Sequence, residues 1–145
     1  MKVYLDSSAL VKGYIAEQYS EDVVALLRGA EVAATSWLAV PEVLSAVSRL
    51  RRARVLESVD ADGARLRFLT DRDKYFWLAT DRTLLEQAGE LTWRHGLRAA
   101  DAVHLATAQK WASVMQAGEM RFATFDKQLA RAARDEGLTV WPDED

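Results

Sequence analysis

No cysteine occurs among the 145 residues of the chain. Disulfides, thiolate metal sites and a cysteine nucleophile are therefore excluded, and the composition suits the cytoplasm. Histidine is nearly as scarce. His95 and His104 are the only two, too few for a histidine-rich zinc site. No apolar run approaches the ~20 residues that span a bilayer, so no membrane association is expected. The opening MKVYLDSSAL carries one lysine and then an aspartate, which predicts a first strand rather than a signal peptide. No stretch reads as a linker, an internal repeat or a low-complexity segment. An excess of positive charge is also missing. At a formal net charge of −3, bulk electrostatics disfavour nucleic acid, which leaves a local basic patch or a metal ion bridging carboxylate to phosphate.

What the chain does have is apolar residues, at 50% of the total, enough for one compact domain over 1–145 with a real core. The acidic end DED, 143–145, is expected to fray. Strands are predicted at 2–6, 31–36, 75–80, 121–125 and 138–141 from their β-branched and aromatic content. Helices are predicted between them. A short one starts with Ser8 as cap, and a second runs from Ser20 to Gly29 with Glu21 and Asp22 at its positive end. A long one runs from Ser36 to about Arg54, with Val40, Val43, Leu44, Val47 and Leu50 at helical spacing and Pro41 in the first turn. Another covers 58–74 with Leu66 and Leu69 facing inward. Three more are capped by Asp81 and ended by Gly96, run from about Ala99 to Ala117, and cover 126–136 up to Gly137. Strands alternating with helices predict an α/β fold: a central parallel sheet of about five strands with helices on both faces.

Four acids stand out because they fall beside apolar segments, near places where strands hand over to helices. They are Asp6 in VYLDSSALVK, Glu42 in WLAVPEVLSAV, Asp101 in GLRAADAVHLATAQ and Asp126 in FATFDKQLARAA. In an open α/β sheet, ligands bind outside the carboxyl ends of the strands. Carboxylates gathered there repel one another unless a cation joins them, so a divalent metal site is the leading expectation. Each acid also has a plainer use. Asp6 and Asp126 suit helix N-caps, Asp101 suits the helix dipole, and Glu42 suits an exposed helix face.

The strings LDSSALVK, LRAADAVHLATA and FATFDKQLARAA, with Glu42 inside the third helix, resemble the PIN domain. More closely, they resemble the VapC-type toxins of bacterial and archaeal toxin–antitoxin pairs, from residue 2 to about 141. The resemblance implies a metal-dependent endoribonuclease with a site of three or four acids, a homodimer, and a small antitoxin whose C-terminal segment blocks the site. Phosphodiester hydrolysis suits such residues, because one or two Mg²⁺ or Mn²⁺ ions activate water and neutralise transition-state charge. Mg²⁺ keeps several waters and takes only one or two direct carboxylates. Those are assigned to Asp6 and Asp101, with Glu42 and Asp126 completing the pocket through water. Thr124, which matches the small hydroxyl residue before the last acid in the family, and Ser8 are expected to hydrogen-bond this group, with Ser7 a weaker candidate.

Other readings differ in what they require. A processing nuclease without an antitoxin and a catalytically silent PIN-like binding module keep the same fold. A haloacid-dehalogenase-type phosphatase wants a second aspartate two residues after the first, where Ser8 stands. A receiver needs its aspartate at a later strand, and YFWLAT leads only into Asp81. His104 shares a helix face with Asp101 and is expected to be packed and hydrogen-bonded rather than a ligand. His95 is expected to complement a helix dipole. Trp37, Trp77 and Trp141 are read as core or subunit contacts rather than base-stacking platforms. Arg49, Arg51, Arg52 and Arg54 form either a solvated helix end or a contact for RNA or antitoxin. Lys12, Arg98 and Lys127 follow the acids closely and are candidates for substrate phosphates. The RNA target is not encoded in any of these features.

Overall fold

The computed structural model describes residues 1–115 and 119–143. Five strands form one parallel sheet: β1 Lys2–Leu5, β2 Val32–Ser36, β3 Phe76–Leu78, β4 Met120–Ala123 and β5 Thr139–Trp141. Their spatial order is β3-β2-β1-β4-β5. The chain therefore builds outward from β1 in one direction and then returns to add β4 on the other side. That reversal between β1 and β4 is the topological switch point, the place where open α/β sheets bind ligands. Leu5 pairs with Ala123 in this register, so Asp6 and Thr124 are the next residues along both strands.

Both sheet faces are apolar because the strands are covered on both sides. Tyr4, Ala34, Phe122 and Val140 face one core with α5 (Arg82–His95), α6 (Ala99–Met115) and α7 (Lys127–Asp135). Val3, Leu5 and Ala123 face the other, with α1 (Ser7–Lys12), α2 (Ser20–Gly29), α3 (Ala39–Arg52) and α4 (Ser58–Thr70). Residues next to one another on a strand thus serve opposite layers, as the two-residue period requires. The α/β architecture matches the sequence expectation. Gly96, at φ 68°, takes the left-handed position that ends α5, which glycine occupies without steric cost.

Several boundaries differ. Asp6, not Ser8, caps α1, and its side chain accepts from the Ala9 amide. α3 starts at Ala39 rather than Ser36, because Ser36 still pairs with Leu78 and its hydroxyl accepts from the Leu38 amide. The helix predicted over 58–74 stops at Thr70 and tightens into a 3₁₀ turn over Asp71–Lys74. Leu66, expected inside, is 67% exposed, and the inner stripe is Ala61, Ala64 and Phe68. β3 is shorter than 75–80 because it is an edge strand paired only with β2. The predicted end of α6 at Ala117 and the last two residues of the DED tail lie outside the described residues.

Candidate active site

Asp6 follows β1 directly and is only 2% exposed. One carboxylate oxygen, Oδ1, accepts from the Ser8 hydroxyl at 2.7 Å and the Ala9 amide at 2.9 Å. The other, Oδ2, accepts from the Thr124 hydroxyl at 2.6 Å. A carboxylate has about four lone-pair directions, so these three bonds leave room for one more ligand. Thr124 in turn accepts from the Asp126 amide at 3.1 Å, and Ser8 accepts from the Phe125 amide at 3.0 Å. Two hydroxyls thereby stitch the β1–α1 junction to the β4–α7 junction. Asp126 caps α7 by accepting from the Leu129 amide at 2.8 Å.

Glu42 lies in the first turn of α3 and Asp101 in the first turn of α6. The side chains of Asp6, Glu42, Asp101 and Asp126 line one cleft of ≈ 590 Å³, together with Ser7, Ser8, Arg49 and Arg98. Four acids from four separate segments therefore meet beyond the carboxyl ends of the strands. Arg98 sits at the rim, its guanidinium 3.6 Å from Asp101 and 3.5 Å from Asp126. Here a cation already lies between two of the carboxylates.

The electrostatics agree with crowding of like charge. Burial raises the Asp6 carboxyl above its usual range, against the opposing effects of His104, Thr124, Ser8 and the Ala9 amide. The Asp101 carboxyl is also raised, first by burial and then by Asp126, with Arg98 opposing and Asp6 adding to the rise. The Asp6 shift reflects desolvation alone, whereas that of Asp101 includes repulsion by Asp126 and Asp6, a cost that a nearby cation would offset. Among the described residues, no three His, Asp or Glu side chains converge closely enough to hold a metal ion by themselves. The donor set is all oxygen, which suits a hard cation that retains its waters and takes one or two carboxylates directly.

His104 is packed and hydrogen-bonded as expected, but the partners it takes, which sequence reasoning did not identify, support Glu42. His104, wholly buried on α6, places Nε2 2.6 Å from Glu42 Oε1 and Nδ1 2.8 Å from the Tyr4 hydroxyl. Burial, then the charge of Asp6, pushes the Tyr4 phenol well above its ordinary range, so it keeps its proton. The Glu42 carboxylate only accepts, so Nε2–H donates to it, and in the neutral imidazole Nδ1 is then the acceptor for the Tyr4 hydroxyl. The available signal was a tyrosine in a fully buried strand, whose hydroxyl must find a partner, and a histidine inside the apolar run AVHLA.

The remaining candidates divide. Arg98 reaches the acids, and of the arginine cluster only Arg49 is among the residues lining the cleft. Arg51 faces a separate hollow between α3 and α4. Lys12 pairs with Glu17 and lies 4.8 Å from the centre of the Phe125 ring. Lys127 lines a neighbouring groove. His95 is 3.5 Å from Glu136, away from the acids. Trp111 is buried, Trp93 is 91% exposed, and Trp37 stacks on Trp77 at 4.6 Å while remaining half-exposed.

The PIN domain model matches residues 3–135. The chain belongs to the PIN domain family. This PIN domain is 38% identical over 147 residues to Ribonuclease VapC45 of Mycobacterium tuberculosis (strain CDC 1551 / Oshkosh), covering 97% of the chain and 94% of that relative. Its fold is similar to that of a FitAB complex bound to an IR36 DNA fragment, with a TM-score of 0.67 at 23% identity over 96% of this chain and 93% of that one. A toxin–antitoxin complex from Klebsiella pneumoniae contains a chain of the same fold, with a TM-score of 0.61 at 16% identity over 88% and 90%. These likenesses show that the whole chain adopts the same fold as those proteins.

Proposed function

We propose that this PIN domain is a metal-dependent endoribonuclease and the toxin of a toxin–antitoxin pair. The observation that carries the reading is the meeting of Asp6, Glu42, Asp101 and Asp126 in one cleft at the switch point. The relative named as a ribonuclease, matched over nearly its whole length, supports RNA as the substrate class. In this reading Asp6 and Asp101 hold Mg²⁺ or Mn²⁺ directly. When bound, the ion supplies charge neutralisation and water of lowered pKa. Thr124 and Ser8 fix the Asp6 carboxylate so that its free lone pair is aimed before any ligand arrives. Glu42, oriented by His104, accepts a proton from the attacking water. Asp126 anchors the rim with Arg98, and Arg98 and Arg49 contact the phosphates flanking the scissile bond. The protein acts in the cytoplasm as a homodimer, and a small antitoxin covers the cleft. The Klebsiella complex, of the same fold, is named as such a pair.

The test is cleavage of total RNA with Mg²⁺ or Mn²⁺ by the parent chain and by Asp6→Asn and Asp101→Asn. Asparagine caps helices as well as aspartate does, so Asp6→Asn keeps the Ala9 bond and the fold while losing the charge. Both variants are expected to lose activity by at least about 100-fold, with circular dichroism unchanged. A folded variant of either kind that cleaves at the parental rate would overturn the site.

A further inference from the structure

Next to the acidic cleft, and sharing Asp126 with it, lies a second groove of ≈ 390 Å³. Its floor is the β4–α7 junction with Thr124 and Phe125, and its walls carry Tyr19, Lys127 and Arg131. Lys127 and Arg131 are exposed and lie four residues apart on α7, which puts them on one helical face. Among the described residues neither has an acidic partner. The Tyr19 ring stacks on Phe125 at 5.3 Å with an interplanar angle of 23°, and Tyr19 is 47% exposed. Its backbone is left-handed, at φ 70°, an unfavourable region for a bulky residue and one that points to a constraint on the ring.

We propose that this groove is an RNA subsite, in which a base of the single strand flanking the scissile bond stacks on the Tyr19–Phe125 pair and its phosphates contact Lys127 and Arg131. The inference rests on the ribonuclease reading and extends it. A chain of net charge −3 with four acids in its cleft cannot hold a polyanion through bulk charge, so affinity in the absence of a bridging metal ion has to come from cations beside the cleft. Unpaired cations next to an exposed aromatic surface match the way proteins hold single-stranded nucleic acid. Continuity with the cleft decides the occupant, because a strand whose phosphodiester sits among the acids must continue past Asp126. Among the described residues, the acidic groups lining the groove are Asp126, already tied to Arg98, and Asp143. Arg134 also lines the groove.

The probe is a fluorescein-labelled oligouridylate of twelve nucleotides, with affinity read by anisotropy in EDTA at two salt concentrations. Lys127→Gln with Arg131→Gln is expected to weaken binding about tenfold and to lower the salt slope by roughly 1.4, two phosphates at about 0.7 each. Tyr19→Asn, which suits a left-handed backbone, is expected to weaken binding about tenfold with little change of slope. The rise in melting temperature caused by Mn²⁺ should be the same in every variant, since none of these residues is an acid of the cleft. Variants that match the parent in affinity and slope would overturn the subsite alone. A parent chain that binds no RNA in EDTA but cleaves it with Mn²⁺ would likewise overturn the subsite alone, whereas one that neither binds nor cleaves RNA with Mn²⁺ present would overturn the ribonuclease reading and the subsite with it.

Discussion

Tyr4→Phe removes one oxygen and little else, which makes it a clean probe of how Glu42 is held. The ring stays packed, because Tyr4 stacks on Phe122 at 5.6 Å and meets His104 edge-on at 5.9 Å. What disappears is the 2.8 Å hydrogen bond to His104 Nδ1. Nδ1 is then a buried acceptor without a donor, a deficit of about 1–3 kcal/mol. For a domain of this size, each kcal/mol moves the melting temperature by about 2–4 °C, so a fall of about 2–12 °C is expected. The functional effect follows from the orientation of the ring. Glu42, which only accepts, still keeps the imidazole proton on Nε2, 2.6 Å from Oε1, but without the phenol one of the two hydrogen bonds that hold the imidazole against Glu42 is gone. Losing a supporting partner of this kind typically costs about 10–100-fold in activity.

The assay is therefore threefold: melting temperature, RNA cleavage with Mn²⁺, and the His104 tautomer read from nitrogen-15 chemical shifts. Tyr4→Phe should lower kcat by at least about tenfold with KM little changed. His104→Ala should be worse in both stability and rate, because it adds a cavity and strands both the Tyr4 hydroxyl and Glu42. His104→Gln, which can keep an N–H toward Glu42, should recover part of the rate. A Tyr4→Phe chain with the parental melting temperature and the parental kcat would refute the reasoning.

Two further outcomes follow from the charge distribution. Asp101 has a folded-state pKa raised by burial and by Asp126, so its favourable contribution is full below the ordinary carboxylate range and lost as pH rises through the raised value. Without metal, Asp101→Asn should therefore gain stability relative to the parent as pH climbs from about 4 toward neutrality, while Mg²⁺ or Mn²⁺ stabilises only the parent, by about 2.7 kcal/mol at 100 times Kd. A gap between the two melting temperatures that is flat with pH would count against crowded carboxylates. Arg49 lines the cleft whereas Arg52 is exposed outside it, so Arg49→Gln should weaken RNA binding several-fold and reduce the salt slope by about 0.7. Equal losses in Arg49→Gln and Arg52→Gln would instead indicate a diffuse basic helix end.

How far the sequence could be read depended on whether local chemistry or tertiary contact set each feature. The alternating strands, Asp81 and Asp126 as caps, and Gly96 as a helix stop were legible because their causes lie within a few residues. The inner stripe of α4 was not. Leu66 and Leu69 looked like its core face; Leu69 does pack against the core, but Leu66 is exposed and Ala61, Ala64 and Phe68 form the buried stripe. The 3₁₀ turn at Asp71 was equally hidden, since Asp71 is recruited by the Tyr14 hydroxyl at 2.9 Å, 57 residues away. In the site, the four acids were visible from their positions at strand–helix joints. The Tyr4–His104–Glu42 chain was not, because its partners are separated by 100 and 62 residues and come from β1, α6 and the first turn of α3, which meet only in the folded domain.

The plain reading of Asp6 as a helix cap and the functional reading of it as a ligand turn out not to compete. Its bond to the Ala9 amide fixes where α1 begins, and that same bond immobilises the carboxylate at the carboxyl end of β1. Thr124 and Ser8 take two more of its lone-pair directions. A carboxylate free in solution must be ordered when it captures a cation; this one is ordered by the fold itself, so no further side-chain entropy is lost on binding. What ordering costs is desolvation, expressed in the raised pKa of a side chain that is only 2% exposed. Had capping been the sole use of Asp6, an asparagine or serine would serve there without that penalty. Retaining a buried carboxyl in the cleft that Asp101 and Asp126 also line makes physical sense when a positive charge completes the cluster, which is the role proposed for a divalent ion.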